Sequence, residues 1–467
     1  MVATKPPAQP LVVIIGSTGT GKSELAIELA TRFRGEIINA DAMQLYDGLP
    51  IITNKITTEE QKGIPHHLLG QISLEEDSWH VDSFKREATK VANEIRRRGN
   101  LPIVVGGTNY YVDTLLFEDT TLEEVQNEEG KQFPFLDEPT EVLLEELRKV
   151  DPVMAGRWHP KDRRKIQRSL EIYLTSGKPA SEFYAEQRAR KIAKAREAAE
   201  AHPWEKLMFW VYAERDTLTD RLDARVDKMV EGGLMDEVRE LYAFKRGRET
   251  AKETVDMTRG IWQSIGYRQM EPHLEALDAG ASIKELEKTK AQGLAEMKTA
   301  TRRYAKYQTR WIRLQQFPRL KDEVPAAVDA LYLLDSTDVS AYRDNVVLPA
   351  ADITEKFLAG EARPLPQDIS QLARDVLEPA KAQPGKAQPN ERKCDTCNVT
   401  IMYDHAWEKH MKSKSHRAAV NRQKRLSLVP VDIPTDARDN EEKKRREKEV
   451  AQRPVSPEIV STLFEED

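Results

Sequence analysis

Eight consecutive residues, Gly16-Ser17-Thr18-Gly19-Thr20-Gly21-Lys22-Ser23, fit the pattern G-x-x-x-x-G-K-[ST] without a gap. Such a run turns its backbone N–H groups inward around phosphate oxygens. Lys22 would add a point charge at a terminal phosphate, and Ser23 a hydroxyl for Mg2+. The helix expected next brings its positive N-terminal end to the same place. Further on, Asp41 and Gln44 stand at i and i+3. A carboxylate can take a proton, and an amide can read a purine edge through a paired donor and acceptor. The plainer reading of this pair is a helix cap and a solvated side chain. The cradle alone leaves the reaction open. An ordinary P-loop NTPase adds an apolar strand ending in Asp to hold Mg2+. Here the best apolar strand, Leu101–Val105, runs into Gly106-Gly107-Thr108 instead.

A second constellation lies far downstream. Cys394-x2-Cys397-x12-His410-x5-His416 has zinc-finger spacing and uses both cysteines of the chain. His405 is an imperfect alternative ligand. Tyr403 and Trp407 supply apolar bulk, and His405–Met411 reads as a helix. A module this small has almost no core, so Zn2+ would supply its folding energy. Its C-terminal part is basic, which suits RNA first and a protein partner second.

The elements that must position these residues read as α/β. Leu11–Ile15, Glu36–Ala40, Leu101–Val105, Leu207–Tyr212 and residues 331–335 are apolar strands, with helices at Ser23–Arg32 and Val81–Arg98 between the first three. The expected architecture is a P-loop-type parallel sheet flanked by helices, with a helical insertion and a small C-terminal finger. The domains read as 1–117 (core, first part), 118–204 (helical insertion), 205–335 (core, second part), 336–393 (linker), 394–420 (finger) and 421–467 (charged, disordered tail). The chain has 467 residues, and 72 Lys and Arg against 78 Asp and Glu give a net charge of −6. That excludes a uniformly basic nucleic-acid binder but not local patches. No apolar run approaches the ~20 residues of a membrane span. Two cysteines exclude a disulfide scaffold and fit a reducing compartment. The first ten residues lack the apolar stretch of a secretory signal.

Taken in order, the landmarks resemble the tRNA dimethylallyltransferase (tRNA isopentenyltransferase) family, particularly its eukaryotic members. They are GSTGTGKS at 16–23, NADAMQLY at 39–46, GIPHHLL at 63–69, LPIVVGGTNYY at 101–111, DRRKIQRSLEIY at 162–173, RLDARVDKMVEGGL at 221–234, WQSIGYRQ at 262–269 and TRRYAKYQTRWIR at 301–313. The resemblance covers roughly residues 10–320, and the ordered set is far more specific than the P-loop alone. It implies transfer of a dimethylallyl group from dimethylallyl diphosphate to N6 of adenosine 37, in tRNAs reading codons that begin with U. Diphosphate is the leaving group, so a phosphate cradle lowers the barrier directly. Adenine N6 is a weak nucleophile, so a base at Asp41 helps, and the adenine must leave its stack to reach it.

By position in the family motifs, Thr18 holds the diphosphate, Gln44 holds the flipped adenine, Thr108 lines the channel, and Arg225 with Arg221 clamps the diphosphate from the far side. The bland alternative for both arginines is pairing with Asp220 and Asp223. Ala42 stands where many members have Ser. For tRNA, the resemblance points to Arg164, Lys165, Ile166, Gln167 and Arg168, beside Lys161 and Arg163 in the insertion. Arg303, Lys306, Arg310 and Arg313 form a second basic stripe, while Tyr304, Tyr307 and Trp311 on another side of that helix read as core. Competing readings are a P-loop kinase or NTPase, an adenylate isopentenyltransferase making free cytokinin, and an RNA-binding finger protein with a vestigial P-loop. Expected cofactors are Mg2+ at Ser23 and Zn2+ in the finger. The expected state is a monomer in the cytoplasm, with the nucleus and mitochondria as further locations.

Overall fold

The structure, a computed structural model, describes residues 5–76, 79–117, 133–201, 205–253, 255–257, 259–323, 325–378, 392–397, 399–401 and 404–427. Two compact units divide the chain: residues 1–122 with 191–380, and residues 123–190 with 381–467.

In the first unit a six-stranded sheet forms from β1 (Leu11–Ile15), β2 (Gly35–Asn39), β3 (His66–His67), β4 (Leu101–Val105), β5 (Lys206–Tyr212) and β6 (Leu331–Asp335), in the order β3-β2-β4-β1-β5-β6. All its pairings are parallel. Both faces of a parallel sheet need cover, which is why its strands are near-continuous apolar runs. Alternation then deals the side chains to opposite faces. Val13, Ile15, Val104, Met208 and Leu333 enter one core, and Val12, Ile14, Val105, Phe209 and Leu334 enter the other. Helices α1 (Lys22–Phe33), α2 (Val81–Arg97) and α3 (Asn109–Leu116) connect or follow the early strands. Helices α8 (Arg215–Glu231), α9 (Leu234–Thr250), α10 (Tyr267–Asp278) and α11 (Ile283–Trp311) follow β5; a π-turn at Ile312–Gln316 then leads to α12 (Phe317–Glu323) and α13 (Pro325–Val328).

Helices α4 (Thr140–Val150), α5 (Pro152–Arg157), α6 (Arg163–Ser176) and α7 (Ala180–Ala201) carry the insertion. Within the second unit α4, α5 and α6 pack through Leu143, Leu147, Met154, Ile166 and Leu170. Asp151 and Asp162 cap α5 and α6 by accepting from the N–H groups of Met154 and Lys165.

One boundary needs correcting. Residues 336–393 read as a linker, but α14 (Leu348–Ala359) and α15 (Gln371–Leu377) fold onto the sheet. Val346, Ile353 and Phe357 join one core, and Ala373 and Leu377 the other. Residues 379–391 of that expected linker, and 428–467 of the expected tail, lie outside the described residues. The finger itself pairs β7 (Arg392–Cys394) antiparallel with β8 (Val399–Ile401), followed by α16 (Asp404–Met411) and α17 (Lys414–Ser427). Helix α17 continues into the segment expected to be disordered from 421.

Candidate active site

The strand order decides where a site can form. β1 leads through α1 to strands on one side of it, and β5 and β6 lie on the other, so a crevice opens at the carboxyl ends of β1 and β4. Ile14 pairs with Val105, and Val105 with Asn39. The phosphate loop after β1, the Gly106–Gly107 turn after β4 and the Asp41 segment after β2 therefore leave the sheet side by side.

The loop has the geometry the glycine spacing requires. Gly16 has φ 148°, and a Cβ there would sit 2.3 Å from the Val211 carbonyl oxygen. Gly21 has φ 88°, with the Tyr342 ring 2.7 Å from where a Cβ would stand. Tyr342 also donates to the Gly21 carbonyl at 2.7 Å. Inside the loop the Thr20 hydroxyl and the Lys22 ammonium both donate to the Ser17 carbonyl, at 2.9 and 2.7 Å. Burial pulls Lys22 down to about 8; Asp41 opposes that fall and Arg225 adds to it. The Ser23 side chain is exposed on the first turn of α1.

Arg225, on α8, donates to the Thr18 hydroxyl at 2.9 Å. Burial lowers its pKa as well. The carboxylate pairings that were the alternative for the two arginines are not those found. Asp223 is bound by Arg302 at 2.7 Å, and Arg221 donates to the Thr337 carbonyl. Arg225 is thus brought to the phosphate loop, while Arg221 braces the turn after β6.

Asp41 sits in a tight local frame. Its N–H donates to Asn39 Oδ1 at 3.0 Å, and its Oδ1 accepts from the Met43 N–H at 3.0 Å. Its Oδ2 faces Gly107, 3.4 Å from where a Cβ there would lie. Burial raises the Asp41 carboxyl above its ordinary value, against the pull of the Met43 N–H, Lys22 and the Gln44 N–H. Thr108 accepts the Ala42 N–H on its hydroxyl at 2.9 Å, so Ala42 joins the two segments through its backbone. Gln44 donates from Nε2 to the Asn54 carbonyl at 2.9 Å. That loop is clasped by the buried carboxylate of Glu237, which accepts from the Ile51 and Ile52 N–H groups at 2.8 and 2.7 Å.

Gln308 is a residue the sequence reading missed. It lies on α11, only 1% exposed. Its Oε1 accepts from the Thr18 N–H at 2.8 Å, and its Nε2 donates to the Gly107 carbonyl at 2.9 Å. One amide therefore ties the phosphate loop to the turn beside Asp41. A Cβ on Gly107 would meet Gln308 Nε2 at 2.3 Å. The doubled glycine was the available signal, since it says that something packs against that turn.

Residues 44–315 match the model of a protein family described as IPP transferase. The chain belongs to the IPP transferase family. It is a prenyl-transferring enzyme. It is similar to the tRNA dimethylallyltransferase of Schizosaccharomyces pombe, with 38% identity over 437 residues, 89% of this chain and 96% of that protein. The tRNA dimethylallyltransferase of Homo sapiens is 34% identical over 427 residues, 89% of this chain and 87% of the human one. Among solved structures, a eukaryotic dimethylallyltransferase acting on tRNA superposes with a TM-score of 0.70 at 32% identity, covering 90% of this chain and 98% of that one. The IPP transferase match contains Gln44, Thr108, Arg225 and Gln308, while the phosphate loop and Asp41 precede it.

In the second unit, α6 presents the expected tRNA residues unequally. Arg164 is exposed. Arg168 pairs with Glu171 at 2.7 Å, and Lys165 with Asp162 at 3.3 Å while lying 4.9 Å over the Trp158 ring. Gln167 is half-buried. Ile166 is fully buried in the insertion core, so its side chain cannot touch RNA. Arg163 braces the insertion by donating to the Leu136 and Glu138 carbonyls.

In the finger, Cys394, Cys397, His410 and His416 place one donor atom each within 4.8 Å of one another. His416 Nδ1 lies 3.5 and 3.4 Å from the two sulfurs. His410 Nε2 is buried with no hydrogen-bond partner, an orphan that a metal would satisfy. Two thiolates and two imidazoles at this spacing fit tetrahedral zinc. The side chain of His405 and all of Tyr403 lie outside the described residues.

Proposed function

We propose that this enzyme transfers a dimethylallyl group from dimethylallyl diphosphate to N6 of adenosine 37, in tRNAs reading codons that begin with U. The observation that carries the reading is the Gln308 tether. It joins a phosphate cradle to the turn that faces a half-buried carboxylate, as a reaction between a diphosphate and a proton-bearing nucleophile requires. The similarity to enzymes named for this reaction supports the acceptor class.

In this mechanism N6 attacks C1 of the prenyl chain and a C–N bond forms. The C1–O bond breaks, and its electron pair leaves with diphosphate. The N6 proton passes to Asp41 Oδ2. A carboxylate raised by burial holds that proton better than a solvated one, and so is a stronger base. Thr18 donates to the diphosphate near its bridging oxygen, with Arg225 behind it, and residues 16–23 wrap the rest. Donors fixed in place before reaction stabilise the leaving charge by roughly 10²–10³-fold each. Ser23 would hold Mg2+, which when bound supplies charge neutralisation at the phosphates. One exposed hydroxyl beside the cradle suits an ion that keeps waters and binds through its substrate. Gln44 holds the extruded adenine, its Oε1 turned to the substrate because Nε2 is committed to Asn54. Arg221, bound to Thr337, contributes to the clamp only on leaving that carbonyl. Arg164, Lys165, Gln167 and Arg168 grip the tRNA backbone, with Ile166 as the apolar root of their helix. The same reading places a monomer in the cytoplasm, with nuclear and mitochondrial pools.

Labelled dimethylallyl diphosphate with total tRNA is the test. We expect label on an anticodon-loop adenosine with the wild-type chain and a loss of at least 100-fold in Asp41→Ala. Undiminished labelling would remove Asp41 from its role. Label on free AMP with none on tRNA would replace the acceptor, and ADP formed from ATP would replace the reaction.

A further inference from the structure

Helix α11 carries more than the Gln308 amide. Tyr304, Tyr307 and Trp311 stand at i, i+3 and i+7, along one edge of that helix. Each directly follows a basic residue, Arg303, Lys306 and Arg310, and all three of these are exposed. A basic stripe and an aromatic stripe thus run in parallel. The aromatic one begins at the chemistry: the Tyr304 hydroxyl lies 3.4 Å from the Gly107 carbonyl, and Asp41 is among the charges acting on it. Tyr307 comes next, its ring 5.9 Å from Trp311 and its phenol bonded to that of Tyr110. Tyr110 stands two residues past Thr108, with its ring 4.5 Å from Trp311 at 56°. The row ends there, on a residue 54% exposed. The far end is rigid, because the buried carboxylate of Asp113 accepts from Trp311 Nε1 at 3.2 Å and from Gln316 Nε2 at 2.6 Å.

We infer that Tyr110 is the stacking platform for the nucleobase adjacent to the acceptor adenosine, with Lys306 and Arg310 taking phosphates beside it. This rests on the reading of the substrate as tRNA. Extruding one base strips a stacking partner from its neighbour, and an aromatic ring fixed at the mouth of the site covers that bare face whatever the neighbour's identity. Phosphate contacts weaken as salt rises, while stacking carries no counterion release, so the two stripes are separable by experiment.

The experiment uses the full chain and an anticodon stem-loop RNA carrying 2-aminopurine at either nucleotide flanking the acceptor. Fluorescence and affinity are followed across a salt series, with prenylation of the unlabelled RNA in parallel. In the wild type and in Tyr110→Phe, one of the two probes stays quenched on binding. In Tyr110→Ala that probe brightens, and affinity falls roughly 5- to 150-fold, with the salt slope unchanged. Arg310→Ala keeps the quench and lowers the slope by about 1. Quenching retained in Tyr110→Ala overturns the platform, as does brightening of both probes in the wild type. Either result, obtained while the wild-type chain prenylates the RNA, refutes the platform alone; a wild-type chain that neither binds nor prenylates it removes the tRNA reading as well.

Discussion

Replacing Gln308 with Leu would cut the tether between the phosphate loop and the turn that faces Asp41. The two side chains are similar in size, so packing changes little. What is lost is polar: the Thr18 N–H and the Gly107 carbonyl each lose a buried partner. An unsatisfied buried group costs about 1–3 kcal/mol. Gly107 keeps the long bond from Tyr304, at 3.4 Å, so its share falls at the low end and the sum is about 2–4 kcal/mol. At about 2–4 °C per kcal/mol the melting temperature should drop by roughly 4–16 °C. Inorganic pyrophosphate offers the stranded Thr18 N–H a new acceptor, so it should restore more of the melting temperature in the mutant than it adds to the wild type. The two halves of the site are also freed to drift, and kcat should fall by about 10-fold or more. Thermal melts with and without pyrophosphate, together with steady-state rates, measure all three effects. A melting temperature within about 1 °C of wild type, with an equal pyrophosphate increment, would refute the argument.

Activity should rise as pH climbs through the raised pKa of Asp41, which works ionised, and decline above about 8 as Lys22 loses its proton. Lys22→Arg should remove the alkaline limb, and an unchanged limb would take Lys22 out of the profile. Glu36, held down to about 2 chiefly by Arg98, should lend stability that is whole above its ordinary value of 4.5 and drains away as the pH falls toward 2; acid melts of Glu36→Gln should be flatter there. Cys397→Ser should abolish zinc content measured by atomic emission and unfold the finger, leaving the melt of the α/β unit in place. Replacing Arg164 and Arg168 together should weaken tRNA binding and lower its salt slope by roughly 1–2, whereas an unaltered slope would show that α6 does not face phosphate.

The parts of this enzyme that were legible beforehand are those whose chemistry forces a local pattern. A phosphate loop needs glycines at fixed offsets, and a parallel strand needs an unbroken apolar run, so the loop, β1, β2, β4, β5 and β6 stand out in the residues themselves. β3 does not, because two histidines form no run; it exists through pairing with Ile37 and Ile38. Residues 336–393 read as a linker because Pro and charged residues dilute the apolar stripe of their first part, yet Tyr342, Val346 and Phe357 find a sheet face waiting. Gln308 and Glu237 were invisible for another reason. A single polar residue inside a helix looks like a solvated one until the backbone it binds, up to 290 residues away, is placed beside it.

The hydroxyl of Tyr342 on the Gly21 carbonyl sets where the catalytic body can be cut. A fragment stopping at the last strand would keep every residue that handles substrate, yet it would lose the prop behind the first glycine loop and bare the greasy underside of the sheet to water. Such a piece would be expected to clump before it could be assayed. A cut that keeps both the prop and the cover falls past Leu377, the last residue of α15 in that core.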